Sequence, residues 1–244
     1  MSATYDLIVS LARAHAPPPA RLLDFGCGRG EVVERALAAG YEAQGVDSYA
    51  GPWEQYAAAG LRERVHKVAP GAALPFADAS FDVVLTNQVV EHLRAPGPAI
   101  GELARVLRPG GVLVAIFPTA EMLVEPHLKV PFVHWLPPGS PAQARALRLA
   151  HRLGAGAGAG EGWVSGALHG LREEIFYRPV GDSIALFAGH FQLVARGEAA
   201  FLRHRLAGSR LRALAPLAEA KWLAPLMRAL CVRLANAVLV FRRA

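Results

Sequence analysis

The sequence predicts an α/β fold built on a doubly wound, mostly parallel sheet. Three observations predict it. Strand-like and helix-like segments alternate from residue 21 to residue 117, the rhythm of βαβ units. Phe81–Thr86 (FDVVLT) is a mostly apolar run with β-branched residues, as expected of a parallel strand covered on both faces. A strand, a glycine turn and a helix follow one another at 21–39.

The elements follow in order. Residues 4–15 read as a short helix, stopped by Pro17, Pro18 and Pro19. Arg21–Phe25 is a strand that runs into Gly26-Cys27-Gly28-Arg29-Gly30. Glu31–Ala39 has helical spacing in Val32, Val33, Ala36 and Leu37 and stops at Gly40. A second strand, Tyr41–Val46, ends at Asp47, and helical text at Trp53–Ala59 leads to a weak strand at Val65–Val68. Beyond Phe81–Thr86, Val89–Arg94 and Pro98–Leu107 read as helical. The turn Arg108-Pro109-Gly110-Gly111 then enters the strand Val112–Phe117.

After Pro118 the pattern breaks, and about 70 residues pass before the next good strand, Phe191–Ala195. Ordinary connections are far shorter, so residues 119–190 read as a helical and irregular insertion after the fifth strand. It holds a helix at 141–152 and the loop-like run Gly154–Gly160 (GAGAGAG). Residues 201–235 read as short amphipathic helices with breaks near Gly208, Pro216 and Pro225, and Ala237–Phe241 closes the chain as a strand.

Composition bounds the function. The 244 residues suit one domain with an insertion, and 53% hydrophobic content excludes a disordered chain. No apolar run reaches the roughly 18 residues of a membrane span, and the first ten residues do not read as a signal peptide. Cys27 and Cys231 are too few for a disulfide framework. A cytoplasmic protein is expected. The net charge of +6 is uneven: residues 199–244 hold nine Lys or Arg against Glu219, a net +8, and the other 17 basic and 19 acidic residues give −2. Such a segment suits a lid of helices with Arg on the wet face, a weak membrane-surface contact, or RNA. Its scarce aromatics rank RNA last.

The glycine loop carries the chemistry. Glycines let backbone N–H groups approach a ligand at a helix start. Its Gly26-x-Gly28-x-Gly30 spacing places Glu31 where a dinucleotide fingerprint needs its third glycine, and no Gly-Lys-Ser/Thr is present. Both facts argue against NAD and ATP. Asp47, 21 residues after Gly26, is placed to accept hydrogen bonds from vicinal ribose hydroxyls.

Four segments then carry a resemblance. LLDFGCGRG (Leu22–Gly30), GVDSY (Gly45–Tyr49), LPFADASFDVVLTNQVVEHL (Leu74–Leu93) and LRPGG (Leu107–Gly111) stand in the order of the class I S-adenosylmethionine-dependent methyltransferases. The chain resembles the type 11/12 small-molecule group of that family. The resemblance implies a Rossmann-like, seven-stranded sheet with its last strand antiparallel, S-adenosylmethionine as cofactor and S-adenosylhomocysteine as product. It implies that Asp24 orients the loop and the methionine amino group. Gly26, Cys27, Gly28 and Gly30 pass under the donor, and Asp47 with Ser48 meets the ribose. Asn87 and Gln88 face the methionine end. The family often has an acid for the adenine amine where Pro70 stands here, so backbone contacts at Gly71, Ala72 and Leu74 are expected to replace it.

The reaction implied is displacement at the sulfonium methyl, most simply at oxygen of a small-molecule acceptor. His92, His127 and His134 are the candidate bases, with Glu91 and Glu125 near them in sequence; Tyr177 and Arg178 are candidate pocket residues. The spacing of Glu125, His127 and His134 matches no zinc pattern, so no metal is expected. Nucleic-acid or protein methylation, and a catalytically inactive donor-binding or membrane-surface protein, are the rival readings.

Overall fold

A computed structural model describes residues 2–49, 61, 63–157, 160, 162–210 and 212–244. The helix expected at Trp53–Ala59 lies outside the described residues. The sheet has seven strands in the order β3-β2-β1-β4-β5-β7-β6. They are β1 (Arg21–Phe25), β2 (Glu42–Asp47), β3 (Val65–Lys67), β4 (Phe81–Asn87), β5 (Leu107–Phe117), β6 (Phe191–Arg196) and β7 (Ala237–Arg243). Strands β1 to β5 pair in parallel, and β7 runs antiparallel between β5 and β6.

Each strand sends alternate side chains to opposite faces, and the neighbours Leu22/Leu23, Val83/Val84 and Leu113/Val114 are thereby divided between two cores. On one face lie α1 (Ser2–His15), α2 (Glu31–Ala38), α7 (Glu198–Ala207) and α8 (Ala224–Leu234). They present Ile8, Ala12, Val33, Ala36, Phe201 and Cys231. On the other lie α3 (Gly97–Val106) and α6 (Val180–Phe187), with Ile100, Leu103 and Phe187. Large side chains such as Ile8, Leu22, Phe117 and Phe241 are fully buried, each contributing about 1.5–3 kcal/mol. A third cluster, Val130, Val133, Leu147, Ala167 and Leu171, joins α4 (Pro141–Arg152) to α5 (Trp163–His169) within the insertion. Among the described residues no helix is long and apolar enough to cross a membrane.

The structure corrects several sequence expectations. Val89–Arg94 holds only a 3-10 turn at Val90–His92. Gln88 takes φ 60 and turns the chain after β4, and the carbonyls of Val90, Leu93 and Arg94 accept from the Arg178 guanidinium rather than continuing a helix. Strand β5 begins at Leu107, so the turn at 108–111 is part of it, accommodated by a register shift opposite Phe81 and Val83. The break expected near Pro225 falls where α8 begins, with Pro225 in its first turn, where its missing N–H costs nothing; Pro216 instead lies inside the 3-10 helix Arg212–Glu219. The 119–190 insertion does not extend to its expected end as one unit, because α6 packs on α3 in the second layer.

The crossover β1–α2–β2 is tight. A Cβ built on Gly45 would stand 2.7 Å from both Cβ and Sγ of Cys27 and 3.0 Å from Val33. Gly45→Ala is therefore expected to destabilise the chain by about 1–3 kcal/mol, read from denaturant midpoints. An unchanged midpoint would refute this packing.

Candidate functional site

Strand order reverses between β1 and β4, and open α/β sheets bind ligands outside the carboxyl ends of strands at such a point. The glycine loop occupies it. The N–H groups of Gly26 and Cys27 donate to the Val46 carbonyl (2.8 and 3.0 Å), and Gly30 N–H donates to the Cys27 carbonyl (2.8 Å). Gly26 has φ 82, and a Cβ there would strike Val89 at 2.1 Å. Gly28 has φ 49 with nothing within 4 Å of its Cβ position. The loop thus packs under the turn after β4 at Gly26 and is open at Gly28.

Asp47 holds this loop. Its Oδ2 accepts from Gly28 N–H at 2.8 Å and its Oδ1 from Tyr49 N–H at 2.9 Å. A carboxylate offers about four lone-pair sites, so acceptor capacity remains on both oxygens. Ser48 is half-buried beside it. Asp24 is buried at 2% exposure, and the described residues make no hydrogen bond to its carboxyl. Burial, and then the Asp47 charge, push it up to about 7. Cys27 turns its thiol toward the Tyr49 hydroxyl (3.6 Å) and packs under Gly45. Burial pushes that thiol up to about 12, so it is inert packing and only its backbone faces the site.

The other expected donor contacts divide. Asn87 closes β4 with Oδ1 buried and without a partner among the described residues. The Gln88 side chain is instead turned to Asn236, donating to its Oδ1 at 3.1 Å. Leu74 is not free for a backbone contact: its N–H donates to Glu102 (2.7 Å) and its carbonyl accepts from Arg105 (3.0 Å), with its side chain in the core. The Ala72 N–H is taken by the Ala69 carbonyl at 3.0 Å. Backbone N–H recognition of adenine at Ala72 and Leu74 is therefore excluded for this conformation. Leu74 looked open in sequence because its partners, Glu102 and Arg105, lie on α3.

A second cluster stands beyond the turn after β4. Glu125 is fully buried and accepts from Tyr177 O–H (2.5 Å), Leu128 N–H (2.5 Å) and His127 Nδ1 (2.9 Å). Burial pushes its carboxyl up, and these donors outweigh it, so the group lies below the usual range. The Glu125 hydrogen bond raises His127. His92 and His127 meet edge to face at 5.4 Å, and His134 meets Tyr177 at 5.2 Å. Burial lowers His134. Both its ring nitrogens are buried without a hydrogen-bond partner among the described residues. Glu91 is buried with neither oxygen hydrogen-bonded among the described residues, and burial pushes it up to about 7.

So the fold gathers all three candidate histidines, residues 92, 127 and 134, with Glu91, Glu125 and Tyr177. Arg178 lines the cleft beside Tyr177 as expected, while its guanidinium holds the carbonyls of Leu93 (2.7 Å), Arg94 (3.0 Å) and Phe176 (3.0 Å) and docks the insertion on the turn after β4. A cleft of about 300 Å³ is lined by His134, Gln143, Leu171, Phe176 and Tyr177 among others. A larger cleft of about 460 Å³ touches Arg21, Glu42 and Phe81 at the amino ends of β1, β2 and β4, the wrong end of the sheet for this chemistry. Sequence reasoning missed Asn236 and Tyr49, whose roles depend on contacts across 148 and 22 residues.

Comparison with known proteins agrees with this geometry. Residues 23–115 match the methyltransferase-domain family. An uncharacterized methyltransferase of Mycolicibacterium vanbaalenii is 44% identical over 96 residues, covering 38% of this chain and 37% of that protein. A ubiquinone biosynthesis O-methyltransferase of Caulobacter is 32% identical over 127 residues, covering 49% of this chain and 50% of that protein. The chain thus spans half or less of the length of these relatives. The fold of an S-adenosylmethionine-dependent methyltransferase from Mesorhizobium loti superposes with a TM-score of 0.56 at 16% identity, covering 96% of each chain.

The Asp24 carboxyl gives a test that needs no ligand. Its folded value near 7 stands above its ordinary 3.8. The folded state therefore holds a proton that the unfolded state gives up. This stability is fully present below about pH 4 and is lost as pH rises through about 7, at about 1.4 kcal/mol per unit. Asp24→Asn is expected to stabilise the ligand-free chain at pH 8 relative to wild type, and to narrow or reverse that gain at pH 4. Equal pH dependence of both proteins in urea unfolding would sink the assignment.

Proposed function

The chain carries a class I S-adenosylmethionine-dependent methyltransferase domain, and from that premise we propose that it transfers the methyl group of S-adenosylmethionine to oxygen of a small-molecule acceptor. The observation that carries this reading is the shared turn after β4: Val89 packs against Gly26 of the glycine loop, and three residues on His92 meets His127 in the histidine cluster.

On the donor side, Asp24 accepts the methionine ammonium, which favours its ionised form. Asp47 accepts from the ribose hydroxyls with the lone pairs left over by Gly28 and Tyr49, and the loop of Gly26, Gly28 and Gly30 passes beneath. On the acceptor side, the cleft beside His134 and Tyr177 holds the hydroxyl. His134, whose ring nitrogens have no hydrogen-bond partner among the described residues, takes its proton. The donor, held by Asp24, Asp47 and the glycine loop, would supply an electrophilic methyl: as the acceptor oxygen bonded to carbon the C–S bond would break with its electron pair returning to sulfur, giving neutral S-adenosylhomocysteine. The donor is already activated, so positioning supplies most of the catalysis. The Caulobacter relative, named for O-methylation, supports oxygen as the atom methylated.

A second reading concerns location. Trp222, Leu226, Leu217 and Leu234 are 79, 52, 50 and 59% exposed, and Arg210, Arg212, Arg228 and Arg233 are exposed around them. Apolar side chains among cations suit an anionic membrane surface. The 201–235 segment would hold a cytoplasmic enzyme against the bilayer and nucleic acid would not be its partner.

Calorimetric titration is expected to show micromolar binding of S-adenosylhomocysteine and none of NADH. Asp47→Ala is expected to cost about 1.5–3 kcal/mol of that affinity, the worth of a charged hydrogen bond; unchanged affinity would remove Asp47 from the donor site. For the second reading, co-sedimentation with phosphatidylglycerol vesicles is expected, weakened by salt and by Trp222→Ala. Equal sedimentation with neutral vesicles would end it.

A further inference from the structure

We propose that Glu91, His92 and His127 form a binding site for a divalent transition cation of the zinc class. The three residues each offer one ligand atom, and these atoms lie within 4.8 Å of one another. The sequence expectation was of no metal, and it weighed Glu125, His127 and His134. Folding draws a different trio, in which Glu125 becomes an outer partner and His134 stands apart at Tyr177.

Glu91 is the first observation. Its side chain is wholly buried and neither carboxylate oxygen has a hydrogen-bond partner among the described residues. Burying an ionisable group without donors is costly, and such a group calls for an explanation. The second observation is independent and concerns tautomers. The Nδ1 of His92 lies 2.9 Å from the Glu174 carbonyl oxygen, and that oxygen can only accept. The Nδ1 of His127 lies 2.9 Å from both Glu125 Oε1 and the Tyr177 hydroxyl oxygen; the tyrosine gives its own proton to Glu125 (2.5 Å), so the ring nitrogen faces two acceptors. Both rings therefore carry their proton on Nδ1, which leaves each Nε2 lone pair free, with the His92 Nε2 4.0 Å from Glu91 Oε1.

A metal-binding histidine almost always donates its other ring N–H to a carboxylate or backbone carbonyl, which fixes the ring and the tautomer. Both histidines are held that way. Two imidazole nitrogens and a carboxylate oxygen suit zinc, cobalt or manganese, and three protein ligands leave a coordination position open for an acceptor oxygen. Bonds of about 2.0–2.2 Å draw in the two half-exposed rings. The role in orienting the acceptor rests on the methyl-transfer reading; the site itself does not, and zinc alone tests it.

The full chain, stripped with a chelator, is titrated with Zn²⁺. One bound ion is expected, with affinity lowered tenfold or more in Glu91→Gln and His127→Ala. S-adenosylhomocysteine binding by the same preparations reports folding and tests the donor reading separately. In the Co²⁺-loaded wild-type chain, two exchangeable, paramagnetically shifted imidazole N–H resonances are expected, from the Nδ1–H groups of His92 and His127. They settle the matter if the variants do not fold. Absence of Zn²⁺ binding by the wild type, affinity unchanged in both folded variants, or fewer than two shifted imidazole resonances would each overturn the proposal.

Discussion

The Asp47 carboxylate is the interaction on which the site depends. It sits where β2 ends and accepts one N–H from the glycine loop and one from the residue pair that follows it. Two segments whose side chains meet at Cys27 and Tyr49 are thereby also tied through their backbones by one charged group. The same tie explains the neighbourhood. Holding Gly28 toward Asp47 leaves Cys27 to fill the space above Gly45, and it brings Asp24 into the field of a second carboxylate. Among the described residues Asp24 has no donor, a costly arrangement for a buried carboxylate that a ligand cation would relieve.

A single arginine does comparable work on the acceptor side. Arg178 spends its guanidinium on carbonyls of the turn after β4, and the backbone N–H of Phe176 donates to the Glu91 carbonyl at 2.6 Å. The insertion has its own small core around Leu147 and Leu171, so it can hold Tyr177 and the segment from Glu125 to His134 as a unit. Docking that unit on the turn unites histidines that are 35 and 42 residues apart in sequence from His92.

Legibility in the sequence followed locality. Strands β1, β2, β4 and β5 and helices α2, α3 and α4 were readable because apolar periodicity, glycine stops and Pro-rich boundaries are local signals. The glycine loop and Asp47 were readable because their spacing is set by one crossover. The expected helix at Val89–Arg94 failed because its carbonyls are claimed from residue 178. The N–H groups expected to be open at Ala72 and Leu74 are engaged instead, Leu74 by Glu102 on another element and Ala72 by Ala69.

The sequence by itself determined the layer architecture, the position of the glycine loop and the chemical types at the site, since each follows from residue spacing along a single βαβ unit. Tertiary structure alone decided which histidine nitrogens are free, which carboxylates are buried without partners, and that His92 meets His127 rather than His134. These are matters of hydrogen-bond partnership and dielectric. Both depend on atoms brought close by the docking of one segment on another, and spacing along the chain carries no record of that.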